Sequence, residues 1–318
     1  MKNFIKRIKG IKNMKYIIII FLLMMNTSIY GQNIYLDIEE IYGVYPILEE
    51  WLHPGKYSPV NMFDNDINTA HVQENYQGKL LVEIQFKSAI KCDEIKLLGG
   101  NAKNYNLFKK YNRPKALSVW LYDTSNSFIE NNVKLVKEAN IKDEMKYQSI
   151  KFKDEYSIKH ITLSVYDVYK GTQYNNTCIT ELKFYNKGKE IPVLNVNRLK
   201  KKYIQFLEDR LKNFFKYGEY NLFEEIGKVY TKTNGEIEIK SINIDDPNND
   251  IYKYEYPDKY EIKDSRLYLF IKGEKYLANY HFSNINYKFN QKFVRLFVTS
   301  IYKDGKSKKI LFDLLIMP

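Results

Sequence analysis

A chain of 318 residues, 44% hydrophobic and 28% charged, has material for two domains with cores of their own, and its composition is not that of a disordered chain. The net charge is +12, but residues 1–31 hold six bases and no acid, residues 32–190 balance, and residues 191–318 carry the remaining +6. An excess that modest and scattered points away from nucleic acid as a partner.

The N-terminus has the layout of an export signal over residues 1–31. Lys2, Lys6, Arg7, Lys9, Lys12 and Lys15 precede the apolar run Tyr16–Met25, and Asn26-Thr27-Ser28 lead to a cleavage point after Gly31. That run is about half the roughly 20 residues a spanning helix needs, so no stable membrane span is expected after cleavage. An uncleaved anchor is the rival reading, and Met14 is an alternative start. No cysteine follows the run, so a lipid anchor is not indicated. The expected location is secreted or periplasmic, within the cell envelope.

From Lys79 onward apolar and polar residues alternate in short runs: Leu80–Phe86, Ile95–Leu98, Ala116–Tyr122, Tyr147–Phe152, Ile158–Val165 and Ile179–Phe184. Separated by Gly, Asn, Asp and Lys clusters, they predict a jelly-roll β-sandwich over residues 34–188. Ile47–Leu52 holds the one trace of helical period in this half. A boundary falls near Lys187–Pro192. Leu199, Tyr203, Phe206, Leu207, Leu211, Phe214 and Phe215 then recur at three- and four-residue steps, predicting an amphipathic helix over Asn197–Tyr217 that stops at Gly218. Strand patterns return at Glu236–Ile244, Arg266–Lys272, Tyr276–Phe282, Lys292–Tyr302 and Lys309–Ile316, with turns at Asp245–Asp250 and Lys303–Lys306. The expected fold is thus mainly β: a jelly roll, then a helix plus antiparallel β domain at residues 195–318.

Cys92 and Cys178 are the two cysteines. In an exported protein they are a candidate disulfide, and two buried free thiols are the equal alternative. The segment Asn61–Thr69 crowds Asn61, Asp64, Asp66 and Thr69 into one loop, while Glu181 stands alone in an apolar strand. Hard cations take six to eight oxygens of this kind. The competing reading is an Asx-turn loop in which Asp64 caps backbone amides.

In order and spacing, Tyr57-Ser-Pro-Val-Asn61, Phe63-Asp-Asn-Asp-Ile-Asn-Thr-Ala70, Ile84-Gln-Phe86, Ile95-Lys-Leu-Leu-Gly-Gly100, Tyr111-Asn-Arg-Pro-Lys115 and Thr177-Cys-Ile-Thr-Glu-Leu-Lys-Phe184 resemble a discoidin-like (coagulation factor type C) galactose-binding domain. The subtype most similar is the glycan-binding module of secreted NAD glycohydrolase toxins. The resemblance implies a structural Ca2+ held by Asn61, Asp64, Asp66, Thr69 and Glu181. It also implies a glycan or glycoconjugate partner. One departure stands out. The family's Thr-Ala-Trp-x-Glu is here Thr69-Ala70-His71-Val72-Gln73-Glu74, so a large ring is missing and His71 either meets a hydroxyl or fills the space.

Sugars need flat apolar faces plus fixed donors and acceptors. Candidates at the loop end are Arg113, Asn101, Trp51, His71, Tyr105 and Tyr174, with His53 and Tyr169 beside them. Arg113 could fork onto two hydroxyls or lock the loop at Pro114 as a structural ion pair. The expected function is therefore non-catalytic recognition of surface glycans. The alternative is an exported enzyme or toxin whose C-terminal domain catalyses, although that region shows no nucleophile motif, zinc spacing or phosphate loop.

Overall fold

The computed structural model describes residues 35–43, 47–74, 80–122, 133–216, 219–222, 227–232, 234–241, 257–286 and 292–316. The export signal at 1–31, the stop at Gly218 and the turn at Asp245–Asp250 lie outside them. Strands β1 (Ile38–Gly43), β2 (His71–Gln73), β3 (Leu80–Gly99), β4 (Arg113–Tyr122), β5 (Val133–Asn140), β6 (Gln148–Tyr169), β7 (Thr177–Asn186) and β8 (Lys189–Ile191) form one antiparallel sheet with the path β2-β7-β3-β6-β4-β5. β1 joins β3, and β8 joins β7.

Two pairs of predicted strands turn out to be single long ones. Leu80–Phe86 and Ile95–Leu98 merge into β3, and Tyr147–Phe152 and Ile158–Val165 merge into β6. The polar stretch around Lys87–Ala89 is exposed and bulged, not a turn. Its effect is to bend β3 so that it serves both layers of a sandwich. The first half of β3 pairs with β1, whereas its second half pairs with β7. Phe86 of one layer meets Phe184 of the other edge to face at 5.5 Å. A core of Val82, Ile84, Ile95, Leu97, Leu163 and Leu182 fills the space between.

This geometry separates the two cysteines. The Cys178 carbonyl accepts from the Gly100 amide at 2.9 Å, while Cys92 lies eight residues back along β3. At about 3.3 Å per residue that is roughly 25 Å, far beyond the ~7 Å limit for a bridge. Both are buried free thiols, and the disulfide expectation is corrected.

The predicted helix is present as Val196–Lys216 (here α2; α1 is the short helix Tyr105–Lys110). Asn195 caps it, accepting from the Arg198 amide at 3.1 Å. Its apolar stripe is shared: Leu199, Tyr203 and Leu207 belong to the sandwich core, whereas Leu211, Phe214 and Phe215 belong to the core of the second sheet. The turns at Ile47–Tyr57, which include the stretch with a trace of helical period, form no helix.

That second sheet contains β9 (Glu219–Leu222), β10 (Gly227–Thr231), β11 (Ile237–Ser241), β12 (Lys259–Lys263), β13 (Arg266–Ile271), β14 (Glu274–Asn286), β15 (Lys292–Lys303) and β16 (Lys306–Ile316). Their order, β11-β10-β9-β16-β15-β14-β13-β12, leaves β11 and β12 at the ends. Those ends meet. Glu236 bridges Lys259, the Ile237 amide donates to Asp258 at 2.8 Å, and the Tyr260 amide donates to Gly235 at 2.8 Å. Each strand therefore neighbours the next in sequence and the last pairs with the first, an up-and-down eight-stranded barrel. Alternation along β13 turns Leu267, Leu269 and Ile271 into the core. An apolar interior is the reverse of the pattern of barrels that face lipid.

Candidate functional site

A short 3-10 turn, Pro59–Phe63, opens the oxygen-rich loop. Asn61 is buried, and its side-chain amide donates to the carbonyls of Lys56 (2.7 Å) and Ala70 (3.2 Å), stapling the two ends. Asp64 accepts from the Asp66 amide at 3.0 Å, the Asx-turn pattern. Asp66 accepts from the backbone and side chain of Asn68 at 2.9 and 2.8 Å, and these bonds hold its carboxyl below the usual range. Thr69 Oγ1 lies 2.9 and 3.0 Å from the Asp64 oxygens and 3.0 Å from the Asp66 carbonyl.

Glu181 reaches the same loop from β7, where it pairs with Leu98. It is 1% exposed, and its Oε1 has no hydrogen-bond partner among the described residues. Burial, reinforced by the Asp64 charge, pushes its carboxyl up to about 8. A cavity of about 10 Å³ beside it, lined by Asn65, Glu181, Lys183 and Glu190 among others, has room for roughly one water.

So the structure brings Asp64, Asp66, Thr69 and Glu181 together, with Asn61 holding the loop's shape. Calcium needs more than this arrangement offers. What converges is one carboxylate, one hydroxyl and one carbonyl, with Glu181 behind them, so water would have to supply the rest of the usual six to eight oxygens. No three His, Cys, Asp or Glu side chains form a metal-binding group among the described residues. Asp64 Oδ2 also already holds an ammonium, Lys200 Nζ of α2 at 2.7 Å. As arranged, the donor set does not suit a divalent cation. Sequence reasoning missed Lys200, which stands among other lysines on the polar side of α2 with no spacing that links it to Asp64.

The second part of the site is the platform of α1 and loop 170–176. Asn104 caps α1 by accepting from the Leu107 amide at 2.9 Å. Loop 170–176 docks on the end of α1 through Tyr174 N–H to Lys110 O at 2.8 Å. Asn112 adds its side-chain amide to Asn175 O at 2.7 Å and accepts from the Gly171 amide at 2.7 Å. A Cβ on Gly171 would stand 2.3 Å from the Lys110 carbonyl oxygen and 2.5 Å from that of Tyr174, so only glycine allows this approach.

Two tyrosines project from this base. Tyr105 is 64% exposed and leans on Phe108 at 6.3 Å. Tyr174 is 37% exposed and rests on Tyr111 at 4.7 Å. Asn101 stays at the same end, its Oδ1 accepting from the Lys103 amide at 3.4 Å.

The other three ligand candidates are placed elsewhere. Arg113 is 5% exposed, and its guanidinium is consumed: Nε to Asp143 at 2.6 Å, Nη2 to Asp143 at 3.3 Å, and Nη1 to the carbonyls of Tyr111 (2.7 Å), Phe108 (3.2 Å) and Lys109 (3.3 Å). It locks the loop. Trp51 is buried in the core shared with the barrel, stacked on Tyr302 at 4.6 Å. His71 is fully buried, its Nδ1 2.9 Å from the Tyr57 carbonyl, so it packs inside the fold and offers no surface to a hydroxyl. Asp143, the partner that decides the role of Arg113, carries no local signal because it lies thirty residues away.

Thr180 ties the platform to β7. Its buried hydroxyl donates to Gly100 O at 2.7 Å and accepts from the Ala102 amide at 2.9 Å. Thr180→Val should lower stability by about 2 kcal/mol, the usual cost of stranding buried polar groups. Urea denaturation measures this, and Thr180→Ser should restore most of the loss.

With this geometry in hand, the chain can be set beside known proteins. Residues 52–185 match the family model of the NAD glycohydrolase translocation F5/8 type C domain. No curated protein matches. Among solved structures, the CBM32-1 and CBM32-2 domains of Clostridium perfringens ZmpB, in complex with GalNAc, are 19% identical (TM-score 0.37) over 47% of this chain and 33% of that one. The family 32 module of C. perfringens NanJ, in complex with galactose, is 13% identical (TM-score 0.34) over 46% of this chain and 93% of its own. A chitosan-binding module from a Paenibacillus sp. IK-5 chitosanase/glucanase is 14% identical (TM-score 0.36) over 49% of this chain and all of its own. This chain thus spans about a third of the ZmpB chain. The family match leaves α2 and the barrel outside it. Over residues 52–185, with their sandwich, loop and tyrosine platform, the chain is thus similar to the NAD glycohydrolase translocation F5/8 type C domain.

Proposed function

We propose that this is an exported, non-catalytic protein that recognises surface glycans through the loop end of its sandwich. The observation that carries the reading is the pair of exposed rings, Tyr105 and Tyr174, each backed by a second ring on a base fixed by backbone hydrogen bonds. A sugar's C–H face stacks on such a ring at little conformational cost. Asn101 and Gln173, whose Nε2 donates to the Tyr174 hydroxyl at 3.1 Å, supply polar groups of the kind that orient hydroxyls. Export is supported by the basic and apolar segments of residues 1–31.

A glycan array with residues 32–318 should show selective binding. Tyr174→Ala should weaken the best glycan about tenfold or more, with Tyr105→Ala similar, because losing one stacked ring is worth roughly 1–2 kcal/mol. Tyr105 is largely at the surface, so the unfolding midpoint of Tyr105→Ala should move little, whereas Tyr174→Ala should also lose some packing on Tyr111 and unfold slightly lower. Affinity unchanged in both variants and in the double variant would defeat this site. Incubation with glycans or NAD should give no turnover; reproducible hydrolysis would favour the enzyme reading.

A further inference from the structure

The family resemblance implies a divalent cation in the loop that here holds Asp64, Thr69 and Glu181. The Asp64 carboxylate of that loop already has a cationic partner in this fold. We propose that the ammonium of Lys200 is the resident cation of this loop, supplied by α2 in place of a metal ion.

Three observations converge on it. The Asp64 side chain is 5% exposed, so its charge needs a counter-charge close by. Lys200 Nζ lies 2.7 Å from Asp64 Oδ2, and Lys200 keeps 40% of its side chain exposed. The long stem therefore remains partly hydrated while the head is delivered. The helix that delivers it is held in register, because Leu199 immediately before and Tyr203 one turn after are both buried in the sandwich core. A loop clamped this way gains one positive charge instead of two. That matches a site with one well-placed carboxylate, Thr69 Oγ1 2.9 Å from it, and a second carboxyl, Glu181, buried behind.

The consequence is a changed division of labour. Where a metal would make the binding end autonomous, Lys200 makes its loop depend on α2, whose other end packs with the barrel through Leu211, Phe214 and Phe215. The segment after the family domain then completes the family domain's own loop.

The test is calcium-dependent thermal unfolding of residues 32–318, wild type and Lys200→Met, in EDTA and in millimolar CaCl2. Wild type should unfold at the same temperature in both. Lys200→Met, which keeps the apolar stem, should unfold several degrees lower in EDTA and recover in calcium, since the emptied position now admits an ion. Terbium should report the same change by sensitised emission in the variant and none in wild type. A calcium-induced rise in wild type overturns the proposal, as does a Lys200→Met protein that is not destabilised or that ignores calcium. Should Lys200→Met fail to fold, Lys200→Arg and the charge-free pair Asp64→Asn/Lys200→Met decide. Both should fold and ignore calcium, and a calcium response in either counts against the proposal.

Discussion

Replacing Arg113 with methionine should destabilise the protein by about 3 kcal/mol while leaving the glycan affinity of the folded fraction within a fewfold of wild type. The magnitude follows from what the guanidinium holds. It forks onto both oxygens of Asp143 and donates to the carbonyls of Phe108, Lys109 and Tyr111. Removing one partner of a buried pair costs roughly 3–5 kcal/mol because the other charge is left behind. The lower end applies, since the Asp143 side chain is 28% exposed and Lys109 Nζ, at 2.6 Å, still pairs with it. Arg113→Lys should recover only part of the loss, because an ammonium cannot fork across the carboxylate and reach the carbonyls together. Urea denaturation and a glycan titration on the same samples separate the roles. Unchanged stability with lost binding would return Arg113 to the sugar site.

The same pair carries a pH signature. Burial alone would raise the Asp143 carboxyl, yet the bonds from Arg113 and Lys109 keep it below its usual 3.8. A depressed carboxyl stabilises the fold above its unfolded pKa and loses that contribution as pH falls below it. Arg113→Met should therefore blunt the final acid unfolding step below about pH 4 as well as lower the plateau.

How much of this was legible in the sequence depends on the range of each contact. The stripe Leu199, Tyr203, Leu207, Leu211 and Phe214–Phe215 repeats at helical spacing, so α2 could be read within one residue of its ends. Motif order brought Asp64, Thr69 and Glu181 together correctly, because the fold fixes where the loop meets β7. Lys200 could not be read: its contact with Asp64 spans 136 positions and leaves no local mark. Trp51 was misplaced for a similar reason. A loop aromatic suggests a sugar face, but its stacking partner Tyr302 comes from β15, far along the chain. Polar residues at Lys87–Ala89 look like a turn because a bend within a strand also exposes its residues. Closure of the barrel between Gly235–Ile237 and Asp258–Tyr260 is tertiary, and the strand pattern alone is the same for an open sheet.

Acid should cost the fold about 2–3 kcal/mol through His71 alone between pH 7 and 4.5, and a variant cycle can isolate it. Burial pushes this imidazole down from 6.5 to about 4, with the Tyr57 carbonyl only partly offsetting that push. A histidine kept neutral in the fold binds its proton more readily when unfolded. Stability is therefore intact above the unfolded value of 6.5 and is lost as pH falls toward 4. Each tenfold loss of proton affinity corresponds to about 1.4 kcal/mol. His160, also buried and lowered by burial, acts in the same direction. Glu181 works against both: raised by burial to about 8, it stabilises most below its unfolded value of 4.5 and loses that contribution as pH rises through 8. In wild type these contributions overlap, so the total profile hides the histidine. Subtracting the stability of His71→Gln from that of wild type at pH 7 and again at pH 4.5 removes every shared group. The wild-type advantage should shrink, or its deficit grow, by about 2–3 kcal/mol at the lower pH. A difference that does not change with pH would mean that His71 titrates normally and is open to solvent. Glycan affinity at pH 7 should be the same in both proteins, because the imidazole is fully buried and has no surface to offer a sugar.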